Sequence, residues 1–240
     1  MTDNPRSIAE QTRAVPPGDG QERFAGYGVM GEPFASGHYL AMRHFPASSV
    51  GSGYDSVWHR DPAGSWFIYS SSSPEASCAR YFGSAVEEAR TAEIAVTWSG
   101  PSTFTVRVDK WLVWDLELGR SAATVAMTTL GELMPGALWR SNAVLSAMGR
   151  AAGPALGVGR VRLTGTTPNG QRFRANPRML WTVDGSRATI DGVDVGPAGP
   201  LSVQARLGDF WLPQRGMFVV GESYFDAYDA TRHQSASPRG

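Results

Sequence analysis

The chain of 240 residues contains a single cysteine and a single lysine. The lone Cys78 excludes an internal disulfide and any metal site built from several cysteines. The lone Lys110 leaves a Schiff-base mechanism only one candidate side chain. The 22 basic and 22 acidic residues cancel, so net charge gives the protein no reason to bind nucleic acid or an anionic membrane surface.

Long apolar runs are also missing. No stretch reaches the roughly 20 apolar residues of a membrane-spanning helix, which predicts no membrane insertion. The first twenty residues lack the apolar segment of a secretory signal, and we therefore expect a soluble, cytoplasmic protein. Residues 1–23 and 229–240 are polar, with proline, glycine and serine, and this composition predicts disordered tails around one domain at 24–228.

Within that domain, β-type patterning dominates. The segment WLVWDLEL at 111–118 alternates between an apolar and a wetter face, as a half-buried strand does. Turn sequences such as Asp61-Pro62-Ala63-Gly64 and Asn169-Gly170 join segments of this kind. Residues 121–157 differ, because their apolar residues recur at helical spacing. The pattern predicts a mainly β fold, an antiparallel β-barrel with a central two-helix insertion at 121–157.

Three segments carry a resemblance to a known group: WHRDPAGSWFIY (58–69), IAVTWSGPSTFTV (94–106) and LTGTTPNGQRF (163–173). They resemble hairpins of lipocalin-like (calycin-like) barrels and, among these, of the bacterial carotenoid hydratase-like (hydroxyneurosporene synthase-like) group. The resemblance covers residues 54–118 and 158–190. It implies an apolar ligand of isoprenoid or polyketide type inside the barrel, as expected of a protein of secondary metabolism.

The histidines offer acid–base chemistry rather than a metal site. His38 and His44 lie on one predicted strand roughly 20 Å apart, which is too far to share a metal ion. No metal-binding spacing occurs elsewhere, so we expect neither a metal nor another cofactor. His59 has two registers open to it: it pairs with Trp66 in a plain hairpin, or with Phe67 if Gly64 forms a bulge.

Candidate site residues follow from these patterns. His38 and His59 are candidate general acids or bases at the barrel mouth, with Tyr69, Tyr81 or Asp115 assisting. Several of the eight tryptophans are candidates to line an apolar cavity: Trp58, Trp66, Trp98, Trp114 and Trp181. Each set also has a plain structural interpretation. His59 can be a half-solvated residue near a strand end, Asp115 can lie on a solvated outer face, and the tyrosines and tryptophans can simply pack in the core.

Three functions remain open from the sequence. The first is a barrel that encloses an isoprenoid, polyketide or acyl-type molecule and catalyses a cofactor-independent hydration, isomerisation or cyclisation. The second is a non-catalytic carrier or sensor of such a hydrophobic ligand. The third is a structural protein whose barrel is filled by its own tryptophans. The oligomeric state is open as well, and a homodimer is one alternative.

Overall fold

The computed structural model describes residues 4–234. In this range the α-helices are α1 (Pro5–Ala9), α2 (Ala79–Phe82), α3 (Ala122–Leu133) and α4 (Asn142–Leu156), with 3-10 turns at Pro74–Ala76, Gly83–Ala85 and Leu138–Arg140. The strands are β1 (Gln21–Pro33), β2 (Tyr39–Ser48), β3 (Tyr54–Arg60), β4 (Trp66–Ser70), β5 (Glu88–Thr91), β6 (Ile94–Trp98), β7 (Thr103–Val108), β8 (Leu112–Gly119), β9 (Thr164–Thr166), β10 (Arg172–Ile190), β11 (Val193–Asp194), β12 (Arg206–Leu207), β13 (Phe210–Trp211) and β14 (Met217–Asp226).

One curled sheet dominates the described range. Its strands follow the order β5-β4-β3-β2-β1-β14-β10-β8-β7-β6, while β9 and β11 pair with β10 and β12–β13 form a separate ribbon. Neighbours in this order are antiparallel except β4 and β5, which run parallel. The curl produces a half-barrel. The predicted mainly β fold with a central helical insertion is confirmed.

The inner face of the half-barrel is packed with side chains. Alternate residues from both halves of the sheet form one buried cluster, which places them on the concave side. Five of its aromatic members are each at most 1% exposed: Phe34, Phe104, Trp114, Trp181 and Phe218. The alternation that predicted the strands thus directs indole and phenyl rings into the interior and fills it.

The N-terminal segment differs from the expected disordered tail. Asn4 caps α1 by accepting a hydrogen bond from the Ser7 amide, and Pro5 occupies the first turn, where its missing N–H costs nothing. Ile8 is 3% exposed and packs into the inner cluster. At the other end, the Gln234 amide donates to the Asn169 carbonyl. Residues 1–3 and 235–240 of the predicted tails lie outside the described residues.

The helical insertion covers part of the outer face of the sheet. Ser121 and Ser141 cap α3 and α4 through their side chains, as serine at an N-cap predicts. Helix α4 continues through Pro154, a residue that usually ends or kinks a helix, and ends at Leu156, where Gly157 with a φ of +66° forms a left-handed cap. Leu156 then packs with outward residues of β10 and β14, so the helices form a second layer there.

Although Asp-Gly is typical of a hairpin turn, no turn forms at Asp184-Gly185, because β10 runs through these residues as one strand. Its register against β8 shifts between Val183 and Gly185, which is the signature of a bulge. The Asp-Gly pair therefore bends a long strand instead of ending it.

Two glycines meet on the outer face where β1 joins β14. Gly26 is the register partner of Gly221. A Cβ at Gly26 would overlap the carbonyl oxygen of His44, and one at Gly221 would overlap that of Asn176. The close approach of neighbouring backbone therefore requires glycine here, and it leaves this part of the outer face without side chains.

We expect Gly26→Ala to lower the free energy of unfolding by about 1–3 kcal/mol or more, because its methyl group has no space beside rigid backbone. Gly136→Ala is the matched control, since nothing lies within 4 Å of a Cβ there, and its effect should stay within about 0.5 kcal/mol. Urea unfolding measures both. Equal stability of the two variants would contradict the close approach at Gly26.

Candidate functional site

A cavity of about 270 Å³ lies between the outer face of the sheet and helices α3 and α4. The sheet contributes the glycine junction described above, and the helices contribute methionine, leucine and alanine side chains. The lining includes Gly26, Arg43, Tyr54, Trp58, Cys78, Tyr81, Met127, Leu130, Met148, Ala152, Leu156, Arg162, Trp211, Gly221 and Glu222. Mostly apolar walls with few polar groups are typical of small-molecule sites.

The exposed end of the cavity is marked by α3 and by the loop before β9. Leu130 lines the cavity and is nevertheless 57% exposed. Arg162 also lines it and forms an ion pair with Asp209, and both side chains are more than one-third exposed. These residues therefore form a rim that is open to solvent.

The buried end of the cavity is polar. The Arg43 guanidinium donates hydrogen bonds to the carbonyl oxygens of Val29 at 2.8 Å, Met42 at 3.0 Å and Met30 at 3.3 Å. It lies over the Trp58 ring, 4.9 Å from the centroid, where cation–π attraction stabilises a desolvated arginine. Burial lowers the Arg43 pKa.

A thiol and a phenol stand next to this arginine. The Tyr54 hydroxyl and the Cys78 Sγ are 3.2 Å apart, and both side chains are buried. Burial raises the pKa of Cys78 and that of Tyr54, so both groups stay neutral at ordinary pH. A neutral thiol is a poor nucleophile. Cys78 therefore lines the cavity without being a reactive group.

The two predicted histidines meet on the inner side of the sheet. His38 Nδ1 and His59 Nε2 are 3.0 Å apart, and the rings stack with centroids separated by 5.3 Å. The strand register places His59 opposite Phe67, which is the bulged alternative of the two left open by the sequence. Asp61 stabilises that turn by accepting hydrogen bonds from the Gly64 and Ser65 amides.

Aromatic rings enclose the buried member of this pair. His59 is 7% exposed, and its ring lies 5.9 Å from Phe67 and 5.6 Å from Trp111. Tyr69 contacts the same indole, with a centroid distance of 4.7 Å. Of the predicted acid–base candidates, the structure thus brings His59 and Tyr69 against Trp111 and places His38 in contact with His59.

This environment keeps the histidine pair neutral near pH 7. Burial, followed by the charge of His38, lowers the pKa of His59 to about 4, and burial also lowers the pKa of His38. Two imidazoles in hydrogen-bond contact can share one proton, whereas a second proton meets like-charge repulsion. Burial raises the pKa of Tyr69, so this phenol remains a hydrogen-bond donor.

The other two acid–base candidates lie elsewhere. Tyr81 is on the outer face, where its hydroxyl donates to Glu22 at 2.6 Å and its ring stacks on Phe225. Burial and the Glu22 carboxylate raise its pKa. Asp115 is exposed and accepts a hydrogen bond from Thr105 at 2.6 Å. Lys110 is exposed in the turn between β7 and β8, away from the cavity lining.

The predicted tryptophans divide between the cavity and the cores. Trp58 lines the cavity, and so does Trp211, which the sequence did not single out. The inner cluster contains Trp114 and Trp181, with the partly buried Trp98 packed against it. Trp66 belongs to the buried cluster on the outer face of β2–β4. Aromatic content therefore predicted burial better than it predicted contact with a ligand.

Sequence analysis missed two buried charged groups, Arg43 and Glu32. Glu32 is 3% exposed, and burial raises its pKa to about 8. Its Oε2 has no hydrogen-bond partner among the described residues. The alternation of side chains in β2 puts Arg43 on the outer face with Phe45, but charged residues are so seldom buried that the pattern alone gave no reason to expect its burial.

His44 pairs with Asp55 across β2 and β3 at 2.7 Å, and its ring lies 4.7 Å from Tyr27.

Within residues 4–234, no group of three or more His, Cys, Asp and Glu side chains is placed to hold a metal ion. The helices of the same range include none with the length and apolarity of a membrane span.

No family model and no curated protein matches the chain. Among solved structures, acetoacetate decarboxylase from Legionella pneumophila subsp. pneumophila str. Philadelphia 1 is similar over 94% of this chain and 91% of its own, with 8% identity and a TM-score of 0.41. A second acetoacetate decarboxylase structure is similar over 96% and 97%, again with 8% identity and a TM-score of 0.41. The resemblance to carotenoid hydratase-like proteins has no counterpart in these comparisons.

The buried histidine makes stability depend on pH. The pKa of His59 falls from 6.5 to about 4 on folding, so the unfolded chain binds more protons than the folded protein between these values. The free energy of unfolding should therefore have its full value above pH 6.5. It should fall by up to about 3 kcal/mol as the pH drops to 4. His59→Gln should flatten this slope, as followed by urea unfolding at several pH values. The same slope in the variant would exclude His59 as its source.

Proposed function

We propose that the protein binds a small apolar molecule, of acyl, isoprenoid or polyketide type, in the cavity between the sheet and helices α3 and α4, as a carrier or sensor. The supporting observation is the cavity itself, with a volume of about 270 Å³. An apolar cavity of about 150 Å³ in another protein holds benzene. The present volume therefore suits a molecule larger than one aromatic ring, such as a short acyl chain.

Binding without chemistry is favoured by the positions of the acid–base candidates. Trp58 faces the cavity, whereas the next residue, His59, packs on the inner side of the same strand against Phe67. His38 and Tyr69 are on that inner side too, and neither lines the cavity. Tyr81, the candidate that does line the cavity, donates its hydroxyl to Glu22, and burial together with that carboxylate raises its pKa. Burial likewise raises the pKa of Tyr54 and that of Cys78, which also line the cavity.

Filling the cavity should abolish binding. Ala152 lines it on α4, and Ala152→Phe puts a phenyl ring into the ligand volume. We expect the affinity for 1-octanol, measured by isothermal titration calorimetry, to fall about tenfold or more, equivalent to about 1.4 kcal/mol.

Ala155→Phe is the matched control, because Ala155 is an exposed residue of the same helix outside the cavity lining. It should bind 1-octanol like the wild type, and thermal unfolding verifies that both variants are folded. Absence of binding to the wild type would refute the proposed function. Equal affinities of the two variants would place any binding site elsewhere.

A cofactor-independent acid–base reaction at the histidine pair is the second candidate function. The specific observation in its favour is the 3.0 Å contact between His38 Nδ1 and His59 Nε2, beside the aromatic wall of Phe67 and Trp111. His38 is the more exposed partner and would contact the substrate. His59 would orient the His38 ring and accept a proton from it. Such pairing of a base with a second orienting group is the general arrangement of proton-transfer sites.

Exchange of α-protons tests this candidate directly. We expect the wild type to accelerate deuterium uptake into octan-2-one in D2O, followed by mass spectrometry, and His38→Gln or His59→Gln to reduce the rate about 100-fold or more. Asp115→Asn is the control, because Asp115 is exposed and distant in the strand order from the pair. Wild-type exchange at the buffer rate would argue against this chemistry.

A further inference from the structure

The buried end of the cavity contains a cation without an anion. Arg43 is 4% exposed, and its hydrogen bonds to the described residues go to backbone carbonyl oxygens. Within residues 4–234, no carboxylate lies within ion-pair distance of its guanidinium. Glu222, a carboxylate that also lines the cavity, pairs with Arg178 at 3.2 Å instead.

An unpaired buried guanidinium is costly, since desolvation of a charge is compensated mainly by an opposite charge in contact with it. The carbonyl oxygens around Arg43 supply only partial negative charge. An anionic group in the adjacent cavity would complete the compensation, and its hydrogen bonds to the guanidinium would be of the strong, charge-assisted type.

Neighbouring groups at this end can donate hydrogen bonds to the same anion. The indole Nε1 of Trp58 is buried with no oxygen or nitrogen acceptor among the described residues and has only the weakly accepting Cys78 sulfur beside it, and the Arg43 guanidinium lies over that ring. Tyr54 and Cys78 add a hydroxyl and a thiol. An indole N–H is a donor only, so this end of the cavity matches an acceptor such as a carboxylate.

The opposite end is mainly apolar, and the one guanidinium described above at its rim, that of Arg162, is already paired with Asp209. Met127, Leu130, Met148 and Leu156 line it from the helices, and methionine side chains adapt to irregular apolar shapes. We propose that the ligand is an amphiphile whose anionic head, a carboxylate, contacts Arg43 while its apolar tail lies under α3 and α4. This assignment rests on the proposed binding function and specifies the class of ligand.

Ligands with one tail and different heads test the inference on the unchanged protein. We expect octanoate to bind about tenfold or more tightly than 1-octanol at pH 7.5, as a charge-assisted hydrogen bond predicts. Octylamine should bind most weakly, because its ammonium would face the guanidinium. Isothermal titration calorimetry with all three compounds gives the order of affinity.

Arg43→Gln should remove the preference for octanoate and leave the affinity for 1-octanol within about threefold. Arg150→Gln is the matched control, since Arg150 is exposed on α4 and lies outside the cavity lining, and it should keep the preference. If Arg43→Gln does not fold, the order of the three ligands on the wild type decides alone.

The outcomes separate the two proposals. If 1-octanol binds as tightly as octanoate, the anionic head is refuted while the apolar binding function stands. If the preference survives in Arg43→Gln, the head does not lie at Arg43 and the assignment is overturned. If none of the three compounds binds, the binding function itself fails, and the inference fails with it.

Discussion

The pairing of β1 with β14 is the interaction on which the rest of the structure depends. These strands lie near opposite ends of the chain, and together they join β2–β5 to β10, β8, β7 and β6 in one sheet. The inner cluster draws side chains from both halves, and the cavity is lined from both halves as well. Gly26 opposite Gly221 at this junction lets neighbouring strands approach closely and leaves bare backbone as the cavity floor.

Features set by local sequence were predictable. The turn at 61–64 formed as expected because Asp61 accepts the Gly64 and Ser65 amides and Gly64 adopts a φ of +103°, which a larger residue would resist. Ser121 and Ser141 likewise cap α3 and α4 through hydrogen bonds from amides three residues away. In each case residues within a few positions of one another satisfy the backbone, and no distant partner is needed.

Features set by distant partners were not predictable in the same way. The glycine-rich β1 lacks the composition of a strand, and its register with β14 spans almost the whole chain. His38 and His59 were both named from the sequence, but their contact depends on the β2–β3 register, which places Leu40 opposite His59. Arg43 was overlooked because its burial follows from the neighbouring Trp58 and Cys78, and no periodicity records such a contact.

Strand β3 separates the two candidate functions by one layer of backbone. Trp58 faces the cavity and His59 the inner side, since successive residues of a strand point to opposite faces. A slip of one residue in the β3–β4 hairpin would exchange these faces. The bulged turn at Gly64 therefore determines that Trp58, and not His59, faces the cavity. The indole, a flat apolar surface beside Arg43, suits binding, whereas the imidazole, held against His38, suits proton transfer. Because the same strand positions both side chains, a loss of strand register would impair ligand binding and the histidine contact together, whereas a substitution confined to one face should affect only the function of that face.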